Sequence, residues 1–499
     1  MKQTGIKVIY LLLTIGIILF IFSNGRWPVS FAAWLAPVFL LRFVRSHKSA
    51  SGLILLFLLI AISSRIMLFG IIPSLLGALT YILTIYYALL WFIPYLFDKL
   101  VGARIHGFAS TLVFPSTVVS LEYLNNVFFG SWASTAYTQF DHLALIQVSS
   151  LVGIWGISFI VCWFASVVNW VIDHHFEWSA IKRGLTFYAA ILSLTLLYGG
   201  IRLEVFPPQS DTITISSFTP TTVTQEYNQE LQNKGFSSSI QMAKENRKMH
   251  STLLRSVHEK VFEQNKQIVD PNVKLTFWPE GLIKVLEEQE AAFIEQGKIW
   301  AMEQNVYLVM AYFVIPIQNP ERMGENKAVL INPKGELEWE YLKTYPVPGS
   351  PNKPGGGVLP VSDTPFGRIS TVICYDMDFT GLLHQAGRLG IDILVVPAWD
   401  WKAIDPLHAR MAVFRAIENG FSMVRQTGEG LSIAVDYQGR TLAAMDHFTS
   451  DDLTMRAQVP KHGVSTVYAV IGDLFAWLCL VCLFSAIGWS ILKRKKSVL

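Results

Sequence analysis

Apolar residues fall in long unbroken runs over roughly the first 200 residues and again near the end, while the stretch between them is polar and interrupted. Runs at about 7–23, 28–44, 52–69, 71–97, 105–121, 143–171, 185–201 and 464–492 each reach or approach the roughly 20 apolar residues a helix needs to cross a hydrocarbon layer. Arg42 and Arg65 trim the second and third. The pattern predicts seven spans, a large polar segment and an eighth span. Basic residues precede the first run as in a signal peptide, but no small-x-small cleavage site follows it, so it is read as an uncleaved span.

Within the polar segment the period changes. Short β-rich runs occur at 212–218, 273–278, 306–315, 328–332, 369–374, 391–396, 422–426 and 432–437. Amphipathic helical stretches lie between them at 238–267, 283–304 and 406–419. Asn332-Pro-Lys-Gly335 and Tyr437-Gln-Gly439 are turn signals between strands. Such alternation predicts a layered α/β domain rather than a β-sandwich. The expected division is 1–203 for a membrane domain of about seven helices, 204–463 for the α/β domain, and 464–499 for a last helix with a basic tail. Pro207-Pro208 marks the exit from the seventh span.

Composition agrees. Of 499 residues 52% are hydrophobic and only 15% charged, against about a quarter charged in an ordinary soluble domain. The net charge of +3 and the lack of a basic block other than Lys493–Lys496 give no footprint for nucleic acid. Basic residues also set a sidedness. Lys2, the group Arg42/Arg45/Lys48, the pairs Lys99/Arg104 and Lys182/Arg183, and the tail all fall on one face of the expected spans. The other face has only Arg26 and Arg65 in short loops. This positive-inside pattern places both termini in the cytoplasm and 204–463 outside the cytoplasmic (inner) membrane of a multi-pass protein.

Cys374 is the single cysteine of the polar segment; Cys162, Cys479 and Cys482 sit in apolar runs. It closes the strand-like Arg368–Cys374, where a thiol is exposed to activation by its neighbours. The competing reading is an inert buried thiol. Two further reactive residues stand beside strand-like runs: Glu280 after 273–278, and Lys343 after 336–341. Strand ends are where a layered α/β domain collects its chemistry. A carboxylate, an ammonium and a thiol suit acyl transfer through a thioester. Glu280 would take the thiol proton. Lys343 would favour the thiolate and, with the backbone N–H of Tyr375, hold the oxyanion; Cys374 would carry the acyl group. Trp399 and Trp401 are candidates for lining an acyl channel, with core packing the other reading. Arg415 and Glu418 are read as a structural pair. His174-His175 is no metal pair, because adjacent side chains do not converge, and no metal is expected.

These segments resemble the nitrilase, or carbon–nitrogen hydrolase, superfamily, and more narrowly its apolipoprotein N-acyltransferase branch. The likeness rests on Phe277-Trp-Pro-Glu280-Gly, Tyr341-Leu-Lys343, Ile373-Cys374-Tyr375, Arg415-Ala-Ile-Glu418-Asn-Gly and, in the membrane part, Gly153-Ile-Trp-Gly156. It implies an α-β-β-α sandwich with a Glu280–Lys343–Cys374 catalytic set and no cofactor. It also implies a phospholipid acyl donor and a lipoprotein acceptor amine, with the enzyme a membrane monomer. Two departures stand out. Family members carry a second glutamate shortly after the lysine, whereas Lys343-Thr-Tyr-Pro-Val-Pro-Gly-Ser-Pro351 has no acid; Asp376 and Glu429 are the accessory candidates. Asp378 stands where soluble amidases of the superfamily typically have arginine. A membrane-tethered amidase, in which water attacks the thioester, and a non-catalytic lipid-binding relative remain as alternatives.

Overall fold

The computed structural model describes residues 2–47, 49–73, 76–316 and 323–496, so Lys48 of the basic group lies outside the described residues. The chain forms two compact units, Met1–Pro207 with Val470–Leu499, and Pro208–Ala469.

The first unit is helical. Its long helices among the described residues are Lys2–Ile21, Ser30–Ser46, Ala50–Met67, Leu79–Leu100, Val113–Phe129, Ser149–Asp173, Trp178–Val205 and Leu474–Lys496. Five segments are long and apolar enough to cross a membrane: Ala50–Met67, Leu79–Arg104, Ser149–Asp173, Trp178–Val205 and Leu474–Lys493. Of the other three, the first holds a shorter apolar stretch, Lys7–Ile21, while Ser30–Ser46 and Val113–Phe129 are 17 residues each. Several edges differ from those expected. The run at 105–121 becomes a helix only from Val113, because Gly107 (φ +71°) turns the chain and a short 3-10 turn, Phe108–Leu112, follows. Pro115 then sits in the first helical turn, where its missing N–H costs nothing. The last helix starts at Leu474 rather than 464. Ser149–Asp173 is the most enclosed helix and departs from helical geometry at Val152 and Gly153 (φ +68°). That conformation favours glycine, which explains the glycine of the Gly153-Ile-Trp-Gly156 segment.

The second unit packs two sheets face to face with helices outside. Its strands are β1 (Thr212–Phe218), β2 (Val273–Phe277), β3 (Lys284–Leu286), β4 (Tyr307–Ile315), β5 (Glu325–Ile331), β6 (Leu337–Leu342), β7 (Ser362–Thr364), β8 (Gly367–Thr371), β9 (Ile393–Ala398), β10 (Ser422–Thr427), β11 (Leu431–Val435), β12 (Thr441–Asp446) and β13 (Thr454–Pro460). One sheet runs β13-β1-β2-β4-β5-β6 with β3 on β4; the other runs β12-β11-β10-β9-β8-β7. Each has a parallel centre (β1-β2-β4; β8-β9-β10) continued by antiparallel hairpins. β9 and β10 are buried along their whole length, and β9 reads accordingly as a continuous apolar run. The sheets meet through Ser217 Oγ, which donates to Gln426 Oε1 at 2.7 Å. This is the expected α-β-β-α sandwich. The core under the first sheet gathers Phe262, Trp278, Phe293 and Tyr312, the helices Arg247–Ile268 and Glu290–Gln304 supplying its outer layer. Thr380–Arg388 and Leu407–Asn419 accompany the second sheet.

The long helix expected over 238–267 is two helices, because the Asn246 side chain caps the second by accepting from the Met249 N–H at 3.2 Å. The stretch expected as a helix from 283 begins as β3 and turns helical only at Glu290.

Candidate active site

The three residues singled out by the sequence arrive from three strand ends. β2 ends at Phe277; Trp278 Nε1 then donates to Ala311 O at 2.7 Å, which fixes the turn carrying Glu280. Lys343 follows β6 directly and is tied to β5 by its N–H donating to Asn326 O at 2.9 Å. Cys374 comes three residues after β8 and opens a 3-10 turn, Cys374–Asp378. Its φ is +49°, uncommon for a side-chain-bearing residue, so the elbow is strained.

Together with Trp399, Trp401 and Lys284, these residues line one cavity of about 470 Å³. Lys343 Nζ donates to Glu280 Oε1 at 2.5 Å. Asn326 Nδ2 donates to the same oxygen at 2.6 Å, while Glu280 Oε2 has no hydrogen-bond partner among the described residues. Cys374 Sγ donates to Trp399 O at 3.3 Å. The Trp399 ring needs Gly428 beside it, since a Cβ there would lie 2.1 Å from the ring. Burial pushes the Cys374 thiol up and Glu280 pushes it further, whereas Lys343 and His408 pull it down; the balance is a raised value and a resting thiol. Burial pulls the Lys343 ammonium down, but Glu280, Cys374 and Asp376 outweigh it and hold the charge.

The accessory candidates lie elsewhere. Asp376 is fully buried behind the elbow. It accepts from the N–H groups of Tyr345 (2.7 Å) and Ile373 (3.1 Å) and from the Tyr341 hydroxyl (2.8 Å). It thereby fastens the segment around Lys343 to the cysteine turn. Glu429 is half-buried between β10 and β11 and is not among the cavity-lining residues. The Arg415–Glu418 pair, 2.9 Å apart and fully enclosed, is structural. Tyr375 supplies the backbone N–H next to Cys374, and its ring meets Phe379 edge-on at 5.2 Å.

Two features escaped the sequence reading. Asn326 is an ordinary-looking strand residue, and nothing in its neighbourhood signals that it grips Glu280. The second is a buried polar cluster beside Cys374: His408 lies between Asp400 and Asp378, and Arg425 clamps Asp400. The one available signal was Asp378, an acid where arginine is usual. Cys374, Asp400 and His408 are the one group among the described residues whose donor atoms converge as a metal set would, all within 4.8 Å of one another. They do not suit a cation: Asp400 is already held by Arg425 through both oxygens, and the Lys343 ammonium acts on the same thiol.

Residues 16–200 match the family model for the apolipoprotein N-acyltransferase N-terminal domain, and residues 227–467 match that for carbon-nitrogen hydrolase. The chain is 25% identical to the apolipoprotein N-acyltransferase of Geobacter metallireducens over 79% of its own length and 76% of that protein. It is 23% identical to apolipoprotein N-acyltransferase 1 of Treponema denticola over 83% of each. The deaminated glutathione amidase of Dictyostelium discoideum is 29% identical, but over only 31% of this chain and 61% of that enzyme.

Proposed function

Because the chain belongs to the apolipoprotein N-acyltransferase branch of the carbon–nitrogen hydrolase superfamily, we propose that it moves a fatty acyl chain from a membrane phospholipid, through a thioester on Cys374, to the N-terminal amino group of lipoproteins. The observation that carries this reading is the Glu280–Lys343 pair sharing one cavity with a lone thiol. Glu280 takes the Cys374 proton as sulfur attacks the ester carbonyl. The Lys343 ammonium and the Tyr375 N–H receive the oxyanion. Collapse expels the lysophospholipid alkoxide, which recovers the proton from Glu280. The acceptor amine then attacks the thioester, gives its proton to Glu280, and the departing thiolate takes it back. The enzyme acts as a monomer without cofactor, and its basic loops orient residues 208–469 to the outer face of the cytoplasmic membrane.

Amide hydrolysis would need the same three residues. The match over 16–200 favours acyl transfer, because it is to the N-terminal domain of apolipoprotein N-acyltransferase and the match to the Dictyostelium amidase covers only 31% of the chain. The test uses the full-length protein in phospholipid vesicles, quenched and digested. The peptide containing Cys374 should gain one acyl mass that hydroxylamine removes, and Cys374→Ala should remain folded and unmodified. Cys374→Ser should also fail, since an alkoxide is far harder to form than a thiolate. Retained lipoprotein acylation by purified Cys374→Ala would overturn the reading.

A further inference from the structure

Four charged side chains cluster by Cys374 without lining the cavity, and the three-residue mechanism gives them no part. His408 stands near the start of the Leu407–Asn419 helix and is buried. Its Nδ1 is 2.6 Å from Asp400 Oδ1, and its Nε2 is 3.3 Å from Asp378 Oδ2. Arg425 donates to Asp400 through Nη1 (2.8 Å) and Nη2 (2.7 Å). Arg425 Nη2 also lies 3.0 Å from His408 Nδ1, because both donate to the same Asp400 oxygen. Relative exposure is 3% or less at all four residues.

The charge count fixes the state of the ring. Two carboxylates and one guanidinium leave a buried negative charge, and a neutral imidazole would leave it uncompensated. An imidazolium closes the set to zero, as burial of ions demands. The groups facing it come from three elements: Asp378 and Cys374 from the cysteine turn, Asp400 from the end of β9, and Arg425 from β10. Asp405, just before its own helix, is a further charged neighbour of Asp400, and is itself faced by Asp446 and Arg410. Lys343 is the other source of positive potential at the sulfur, and in the resting site its ammonium is also paired with Glu280.

We infer that His408 is a positioning residue that holds a second, permanent positive charge against the Cys374 sulfur and so makes its thiolate accessible. The inference deepens the reading of Cys374 as nucleophile and rests on it. Asp378 and Asp400 orient the ring and keep it protonated: burial pulls its value down, but the two carboxylates raise it well above the ordinary 6.5. The same arrangement explains an acid at 378, since an arginine there would repel the imidazolium.

The test is the pH profile of Cys374 alkylation by iodoacetamide in the full-length protein held in lipid nanodiscs, with the modified peptide identified by mass. An opposite charge within 4–6 Å shifts a titration by about 1–3 units. His408→Gln should therefore move the alkylation midpoint upward by about one unit or more, slowing modification near neutrality roughly tenfold at a temperature where its melting curve shows the variant folded. Asp378→Asn should move it slightly downward, because Asp400 still holds the charged ring while one carboxylate near the sulfur is lost. An unchanged midpoint in folded His408→Gln overturns the inference. Should that variant fail to fold, His408→Asn, whose amide nitrogen can still donate to Asp400, decides by the same midpoint. Alkylation needs no acyl donor, so this result stands apart from the thioester experiment, where an unacylated Cys374 in the wild type would count against the proposed function instead.

Discussion

Each unit buries a glutamate, and the two are satisfied differently. In the helical unit, Glu122 of Val113–Phe129 accepts from Ser134 Oγ (2.9 Å), from the Thr135 N–H (2.8 Å) and from Thr135 Oγ1 (2.8 Å), so both oxygens are used. In the sandwich unit, Glu280 takes Asn326 and Lys343 on one oxygen and leaves the other without a partner among the described residues. A saturated carboxyl is a fastening, here of the segment after Phe129 to its helix. A half-saturated one beside an ammonium and a thiol is a group waiting for a proton. Burial alone does not separate the two, since Glu122 is 5% exposed and Glu280 6%. The count of hydrogen bonds does.

The largest effect should come from exchanging each carboxyl for its amide. Glu280→Gln should lose about 10²–10⁴-fold in acyl transfer while melting like the wild type. Glu122→Gln should keep the per-molecule rate but lose about 1–3 kcal/mol of stability, because an amide cannot accept at both ends. Rates and melting curves of purified protein check this, and a stable but inactive Glu122→Gln would break the comparison.

A smaller loss is expected at Asn326. Its Nδ2 keeps Glu280 Oε1 occupied and thereby the other oxygen available. Asn326→Ala should slow thioester formation about tenfold, the equivalent of roughly 1.4 kcal/mol for one lost hydrogen bond to a charged group. Single-turnover kinetics would show it, and an unchanged rate would mean Lys343 suffices.

Asp376, a third buried acid, is saturated like Glu122, and its signature is a pH dependence of stability rather than a loss of rate. Burial raises its carboxyl to about 6 from 3.8, against the pull of Lys343 and the Tyr345 N–H. The folded state therefore holds this proton more tightly than the unfolded chain. Its contribution to stability is complete below pH 3.8 and is lost as pH rises through about 6. The melting temperature of the wild type minus that of Asp376→Asn should fall over that range, by the equivalent of about 3 kcal/mol at most. A difference that grows with pH would contradict this sign.

Legibility in the sequence followed burial and chain proximity. The Ile and Val run of β9 announced a strand covered on both faces, whereas β10 is as deeply buried but carries Ser422, Arg425, Gln426 and Thr427. β12, with Thr441 exposed and its neighbours only partly covered, gave no such signal, and three-residue β3 and β7 are too short to show a period. Glu280, Lys343 and Cys374 were legible because each stands beside a strand end in a recognisable segment. The Asp378–His408–Asp400–Arg425 cluster was not, since its members come from a turn, a loop, a helix and a strand that only the fold brings together. Spans at the chain's start were visible as runs, but Gly107 shifted one of them by about two helical turns.

The central claim is that an acyl group rests on Cys374 and leaves for an amine. The direct measurement is a chase: acyl-enzyme formed on labelled phospholipid vesicles is isolated, then mixed with a peptide bearing a lipid-modified N-terminal cysteine. The account predicts that label disappears from Cys374 as it appears in amide linkage on the peptide, with little free fatty acid, and that in Glu280→Gln the transfer stalls. Label released chiefly as free fatty acid at the same rate with and without the peptide would contradict it and make the protein a hydrolase.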